Sequence, residues 1–164
     1  MTQPETPYAA PAATRIGHVH LRVADLDRAI AFYSGVLGLA VMQRLTSGAA
    51  FLSAGGYHHH IALNTWESAG GNPPPPGHTG LYHTAILYPS RADLAAAVRR
   101  VLAAGIPITG QADHGVSEAI YLDDPDGNGV ELYRDRPKDA WPLDAKARLA
   151  MVNAPLDLDA LLAL

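Results

Sequence analysis

The 164 residues carry 48% hydrophobic and 17% charged side chains, a formal net charge of −4 and no cysteine. That length fits one compact domain or two small packed halves, and the negative balance offers no basic footprint for nucleic acid. Without cysteine there are no disulfides, thiolate metal sites or cysteine nucleophiles, and no stretch reaches the roughly 18 apolar residues of a membrane span.

Residues 1–14, MTQPETPYAAPAAT, hold neither the basic segment nor the apolar core of a secretory signal and read as the flexible leader of a cytoplasmic protein. From Ile16 to Val23 the chain alternates, with Val19, Leu21 and Val23 on an apolar face and His18, His20 and Arg22 on the other. Asp25 sits where a helix N-cap belongs, and Leu26, Ala29, Ile30, Tyr33, Val36 and Leu37 recur at helical spacing before Gly38. Strands are expected over 41–45, 50–54 and 58–64, so residues 15–66 form a β-α-β-β-β unit. Residues 67–79 include four consecutive prolines, which remove amide donors and favour polyproline II geometry, the mark of a stiff connector.

The pattern restarts over 80–134. A strand at 81–88 leads to Ser90, whose partner Asp93 three residues on reads as a helix start, and Leu94, Ala97, Val98, Val101 and Leu102 keep helical spacing until Gly105. Strands at 106–109, 116–122 and 129–133 complete the second unit. His18 precedes Asp25 by seven residues and His83 precedes Ser90 by seven, so the two halves are an internal repeat. Residues 135–164 form a C-terminal extension that reads as one or two short helices. The expected fold class is α/β of the α+β kind: two tandem βαβββ repeats forming one curved mixed sheet around a metal site, with the helices outside.

His18 and His83 hold equivalent places on the first strand of each repeat, and Glu131 points away from the apolar face of Val130 and Leu132 on the last strand. Brought together, two imidazoles and one carboxylate leave coordination positions open, the donor set that favours non-haem Fe(II), with Mn(II) and Zn(II) as competitors. Alternation through His58-His59-His60 sends His58 and His60 one way and His59 the other, so one or two of them reach a common site. A histidine there is suited to proton transfer, its unperturbed pKa lying near neutrality.

The segments IGHVHLRVADLDRAIAFYSGVLGL, YHHHIALNTW, GLYHTAIL and HGVSEAIYLDDPDGNGVELY resemble the vicinal oxygen chelate superfamily, the glyoxalase, bleomycin-resistance and dioxygenase group, and within it extradiol dioxygenases of the catechol 2,3-dioxygenase type. The resemblance implies that His18, His83 and Glu131 are metal ligands, with Fe(II) foremost and Mn(II), Zn(II) or Ni(II) as alternatives. It implies His59 as the acid-base residue through the frame His59-His60-Ile61-Ala62-Leu63, Tyr121 as a hydrogen-bonding partner of the substrate oxygen, and His114 as its companion. The expected partners are a small aromatic diol, O2 and a second copy of the chain in a homodimer. Ala112 departs from the family pattern, and extradiol enzymes of this type carry four such repeats where this chain has two. Two other functions stay open: a glyoxalase-like or other metal-dependent lyase or isomerase with a fourth ligand near His58 to His60, and an antibiotic-binding module that needs no metal.

Overall fold

The computed structural model describes residues 8–164; the first seven residues of the leader expected at 1–14 lie outside the described residues. The first repeat contains β1 (Val19–Arg22), α1 (Leu26–Ile30, continuing as a π-helical stretch Ala31–Val36), β2 (Ala40–Leu45), β3 (Ala49–Ser53) and β4 (Ile61–Asn64). The second contains β5 (Thr84–Leu87), α2 (Arg91–Ala103), β6 (Gly110–Asp113), β7 (Ser117–Asp123) and β8 (Gly129–Asp135). Both helices start at the caps the sequence marks: the Asp25 carboxylate accepts from Arg28 N at 3.0 Å, and the Ser90 hydroxyl oxygen accepts from Asp93 N at 3.1 Å. Among the described residues no helix is long and apolar enough to cross a membrane.

The fold is α+β, with strand orders β1-β4-β3-β2 and β5-β8-β7-β6. The single curved sheet expected from the repeats is built as two four-stranded sheets, in which β1 and β5 are edge strands, and residues of both line one cavity. One apolar core nevertheless serves both repeats, with Val23, Tyr33 and Leu63 in the same cluster as Val98, Ile120 and Leu132. Polar contacts tie the halves as well. The Tyr33 hydroxyl donates to Asp124 at 3.0 Å in a buried position, Arg28 pairs with Asp126, and Arg100 Nε donates to the Val36 carbonyl at 2.7 Å.

Three elements differ from the expectation, each for a local reason. The second strand of the second repeat starts at Gly110 and not at Ile106, because Pro107 has no N–H to give and the first bond to β7 runs from Thr109 N to the Tyr121 carbonyl at 2.8 Å. The strand expected from His58 begins at Ile61, after the turn at Gly55 and Gly56. The extension 135–164 is mostly irregular: it contains a 3-10 turn at Lys138–Ala140 and α3 (Leu158–Leu162), which buries Leu161 in the core.

Glu118 on β7 is 5% exposed and accepts from Arg91 Nε at 3.0 Å and Arg134 Nε at 2.9 Å. Burial pushes its carboxyl up, but Arg134 and Arg91 outweigh burial and hold it below the ordinary 4.5. A lowered folded-state pKa means stability present above the unfolded value and lost as pH falls through the folded one. Glu118→Gln is therefore expected to cost about 2–4 kcal/mol at pH 7, toward the low end for a broken buried pair because the arginines keep some solvent. Urea denaturation of both proteins should show the gap closing as the pH drops below the carboxylate range; a gap independent of pH would contradict this account.

Candidate functional site

In each repeat the first strand lies parallel to the last. In the second repeat the register sets Ala85 opposite Glu131 and Glu131 opposite Tyr121, so these residues share the face turned away from Leu132 and the core. His83 stands one residue before β5 and joins the same face. Its approach depends on Gly129: a Cβ there would lie 2.2 Å from the Tyr82 carbonyl oxygen and 3.1 Å from His83 Cβ. Only glycine lets the two backbones run this close.

His83 Nε2 lies 2.8 Å from Glu131 Oε2, and Glu131 is 8% exposed. A buried carboxylate needs a partner, and His83 supplies it. The other carboxylate oxygen lies 3.4 Å from the Tyr121 hydroxyl, which is 2.8 Å from His114 Nε2, while His114 Nδ1 lies 3.1 Å from the Val152 carbonyl oxygen. Four side chains thus make one polar chain. Burial first, and the Glu131 charge second, push Tyr121 up to about 12, so the phenol keeps its proton at neutral pH.

The first repeat gathers its histidines separately. His18 is exposed just before β1, with its ring centroid 4.4 Å from that of His59, which in turn lies 5.1 Å from Phe51. Because β4 begins only at Ile61, strand alternation does not sort the triple: His60 Nδ1 lies 3.0 Å from Ser53 Oγ, opposite it across β3, and His59 reaches the Phe51 side as well. His58 Nδ1 lies 2.7 Å from His59 Nδ1. Loss of solvent, then the neighbouring His18 and His58, lower the His59 pKa from its ordinary value and so favour the neutral ring.

His18 and His83 both line a cavity of about 620 Å³ to which the two repeats contribute, also lined by His60, Ile86 and Tyr133. A second cavity of about 430 Å³ lies against His83 and Tyr121. Among the described residues no three His, Asp or Glu side chains converge tightly enough to hold an ion as they stand. The donor pair of His83 and Glu131 does fit one. Two ligand atoms each about 2.1 Å from an ion and at right angles sit about 3 Å apart, and these two are 2.8 Å apart. His83 Nδ1 is buried without a partner, so Glu131 is what orients the ring, and a cation at Nε2 would displace the proton shared there. Sequence reasoning missed Tyr82, Thr109 and Asp123, which line the smaller cavity. Only the adjacency of Tyr82 to His83 could have pointed to any of them.

A family model described as the Glyoxalase/Bleomycin resistance protein/Dioxygenase superfamily matches residues 15–132. The chain is 42% identical over 149 residues to a catechol-2,3-dioxygenase of Bacillus subtilis (strain 168), covering 91% of this chain and 51% of that protein. It is 34% identical over 121 residues to biphenyl-2,3-diol 1,2-dioxygenase 3 of Rhodococcus globerulus, covering 74% and 63%. The chain thus spans between half and two thirds of the length of these curated relatives. Among solved structures, a glyoxalase/dioxygenase from Nostoc punctiforme shares the fold with a TM-score of 0.63 at 21% identity, covering 80% of this chain and 99% of that one. A lactoylglutathione lyase from Agrobacterium tumefaciens gives 0.58 at 27% identity, covering 76% and 96%.

The close approach at Gly129 can be checked directly. Gly129→Ala is expected to push the Tyr82–His83 segment off β8 and destabilise the protein by about 1–3 kcal/mol, the usual cost of overpacking. Chemical denaturation measures the loss, and the His83 ring signals in NMR should shift toward those of a Glu131→Gln protein. An alanine protein with wild-type stability and wild-type His83 signals would refute the tight contact.

Proposed function

Because the chain belongs to the glyoxalase/bleomycin resistance/dioxygenase superfamily, we propose that it is a metal-dependent extradiol dioxygenase that opens the ring of a catechol-type aromatic diol with O2. The observation that carries this reading is the His83–Glu131 pair continued through Tyr121 to His114. A metal pair alone would mark the superfamily; the phenol and the imidazole behind it add groups that can hold charge and protons on a bound diol. The names of the Bacillus and Rhodococcus relatives support the same class of reaction.

In this proposal His18, His83 and Glu131 hold the ion, with Fe(II) best suited to two imidazoles and a carboxylate and Mn(II), Zn(II) or Ni(II) as alternatives. Bound there, the ion would supply Lewis acidity and a common point of attachment for diol and dioxygen. His59, whose neighbours favour the neutral ring, takes the proton of a diol hydroxyl at its ring nitrogen and returns it when the ring opens. Tyr121 keeps its proton and meets a substrate oxygen through its hydroxyl, while His114 holds the phenol in place. Leu39, Ile61 and Ile86 in the larger cavity offer an apolar wall to the aromatic ring. A homodimer belongs to the same reading, as the family resemblance implies.

A metal-dependent lyase is the second reading, favoured by one observation: the matched lactoylglutathione lyase is covered over 96% of its own length. There a histidine of the triple would be a fourth ligand. The two readings part at His59. Anaerobic reconstitution with Fe(II), followed by a catechol panel with oxygen uptake and absorbance of the ring-opened product, is expected to show activity in the parent. His59→Ala should keep metal content while lowering ring cleavage by roughly 10²- to 10⁴-fold, the scale of a lost general acid-base. His83→Ala and Glu131→Ala should lose the metal. Metal loss in His59→Ala together with no oxygen uptake on any diol would favour the lyase.

A further inference from the structure

We infer that the C-terminal extension is a positioning element of the site: the Val152 carbonyl sets the tautomer of His114, and through it turns the Tyr121 hydroxyl toward His114 and away from Glu131. Val152 lies outside residues 15–132, the part of the chain matched by the family model. That Tyr121 and His114 meet a substrate rests on the function proposed above; the tautomer and its cause do not.

The extension reaches the site as a short strap. Ala150 N donates to the Pro142 carbonyl at 2.9 Å and closes a small hairpin, after which Val152 N donates to the His114 carbonyl at 3.1 Å and Ala154 N to the Asp113 carbonyl at 2.9 Å. Val152 therefore grips His114 twice, by the main chain through its N–H and by the ring through its carbonyl. Gly115 makes room for this. It has φ of +74°, and a Cβ on it would lie 2.8 Å from Pro142 Cγ and 3.3 Å from Val152 Cγ2. Farther along, Gln111 Nε2 donates to the Leu156 carbonyl at 3.2 Å, and Leu156 and Leu161 are buried in the core, so the strap is anchored beyond the contact as well.

The chemistry follows from what each atom can do. A carbonyl oxygen only accepts, so His114 Nδ1 carries the proton, and in the neutral ring Nε2 presents a lone pair alone. Tyr121 Oη, 2.8 Å from Nε2, must then donate to it. The hydroxyl has one proton, so the 3.4 Å contact with Glu131 Oε1 receives none. Glu131 keeps His83 as its donor and leaves Oε1 with free lone pairs. The opposite tautomer would reverse the arrangement: an Nε2–H would donate to the phenol oxygen, and the phenol proton would go to the carboxylate.

Nitrogen NMR of the full-length, metal-free protein with labelled histidine tests this without any turnover. The expected result is His114 protonated at Nδ1 and bare at Nε2. Tyr121→Phe should leave that tautomer in place, because Val152 and not the phenol sets it. Replacing the Val152–Asn153 amide by an ester, which weakens the Val152 carbonyl as an acceptor, should move the tautomer ratio toward Nε2–H by about 2- to 10-fold, the ratio that one ordinary hydrogen bond sustains. Val152→Ala, which retains the carbonyl, should not move it. An Nε2–H ring in the parent, a switch on Tyr121→Phe, or an unchanged ratio in a folded ester protein would each overturn the inference. Should the ester protein fail to fold, the parent and Tyr121→Phe spectra still decide. The expected tautomers combined with no diol cleavage by the parent would sustain this inference and defeat only the proposed reaction.

Discussion

The site depends on the parallel pairing of the first and last strands within each repeat. Parallel neighbours need a long crossover between them, and here the crossover is a helix and two further strands. That connection carries a residue at the start of the repeat to the side of a residue at its end, which is how His83 meets Glu131. Because β8 lies between β5 and β7, Glu131 has His83 on one side and Tyr121 on the other. A carboxylate this deep is tolerable only with such neighbours, and the strand order supplies both at once.

The register also shows how the repeats have diverged. In the second, Ala85, Glu131 and Tyr121 lie in a row across three strands; the matching row in the first is His20, Ala62 and Phe51. Where one repeat has a carboxylate the other has a methyl group, and where one has a phenol the other has a phenyl ring. Within these two rows, negative charge and a hydroxyl therefore come from the second repeat alone. The first offers imidazoles: His18 at the cavity, and His20 held to Asn64 Nδ2 through Nε2 at 2.9 Å. A site between the two is asymmetric by construction, which suits an ion that must be partly neutralised on one side and left open on the other.

How much of this was legible in the sequence depended on whether a periodic pattern governed the residue. The βαβββ order, the caps at Asp25 and Ser90, and the turn of Glu131 away from the face of Val130 and Leu132 follow from strand and helix periods and appear in the structure where those periods put them. The histidine triple escaped because it lies in a turn, where ring packing against Tyr57, Phe51 and Ser53 replaces alternation. Strand β6 was misplaced by one proline whose missing donor delays the ladder. His18, exposed just ahead of β1, is not fixed by a ladder, and its ring leans on His59 instead of on the His83 pair. Val152 could not have been found at all, since it acts through a carbonyl that every residue possesses.

The extension shows why a family match bounds a fold without completing it. Residues beyond 132 finish β8, cover α2 and run beside β6, where Arg91 Nη1 and Arg99 Nη1 donate to the Ala160 and Leu162 carbonyls at 3.4 and 3.0 Å. Burying Leu156 and Leu161 is worth about 1.5–3 kcal/mol each, so the extension shares in the stability of the second repeat. The same residues that complete the core hold the strap against His114. Loosening the extension would thus reach the polar chain by two routes, one through the packing under β6 and β7 and one through the hydrogen bond that orients the His114 ring. Because both run through the second repeat, the half of the molecule that supplies the carboxylate and the phenol is also the half held by residues outside the family-model match.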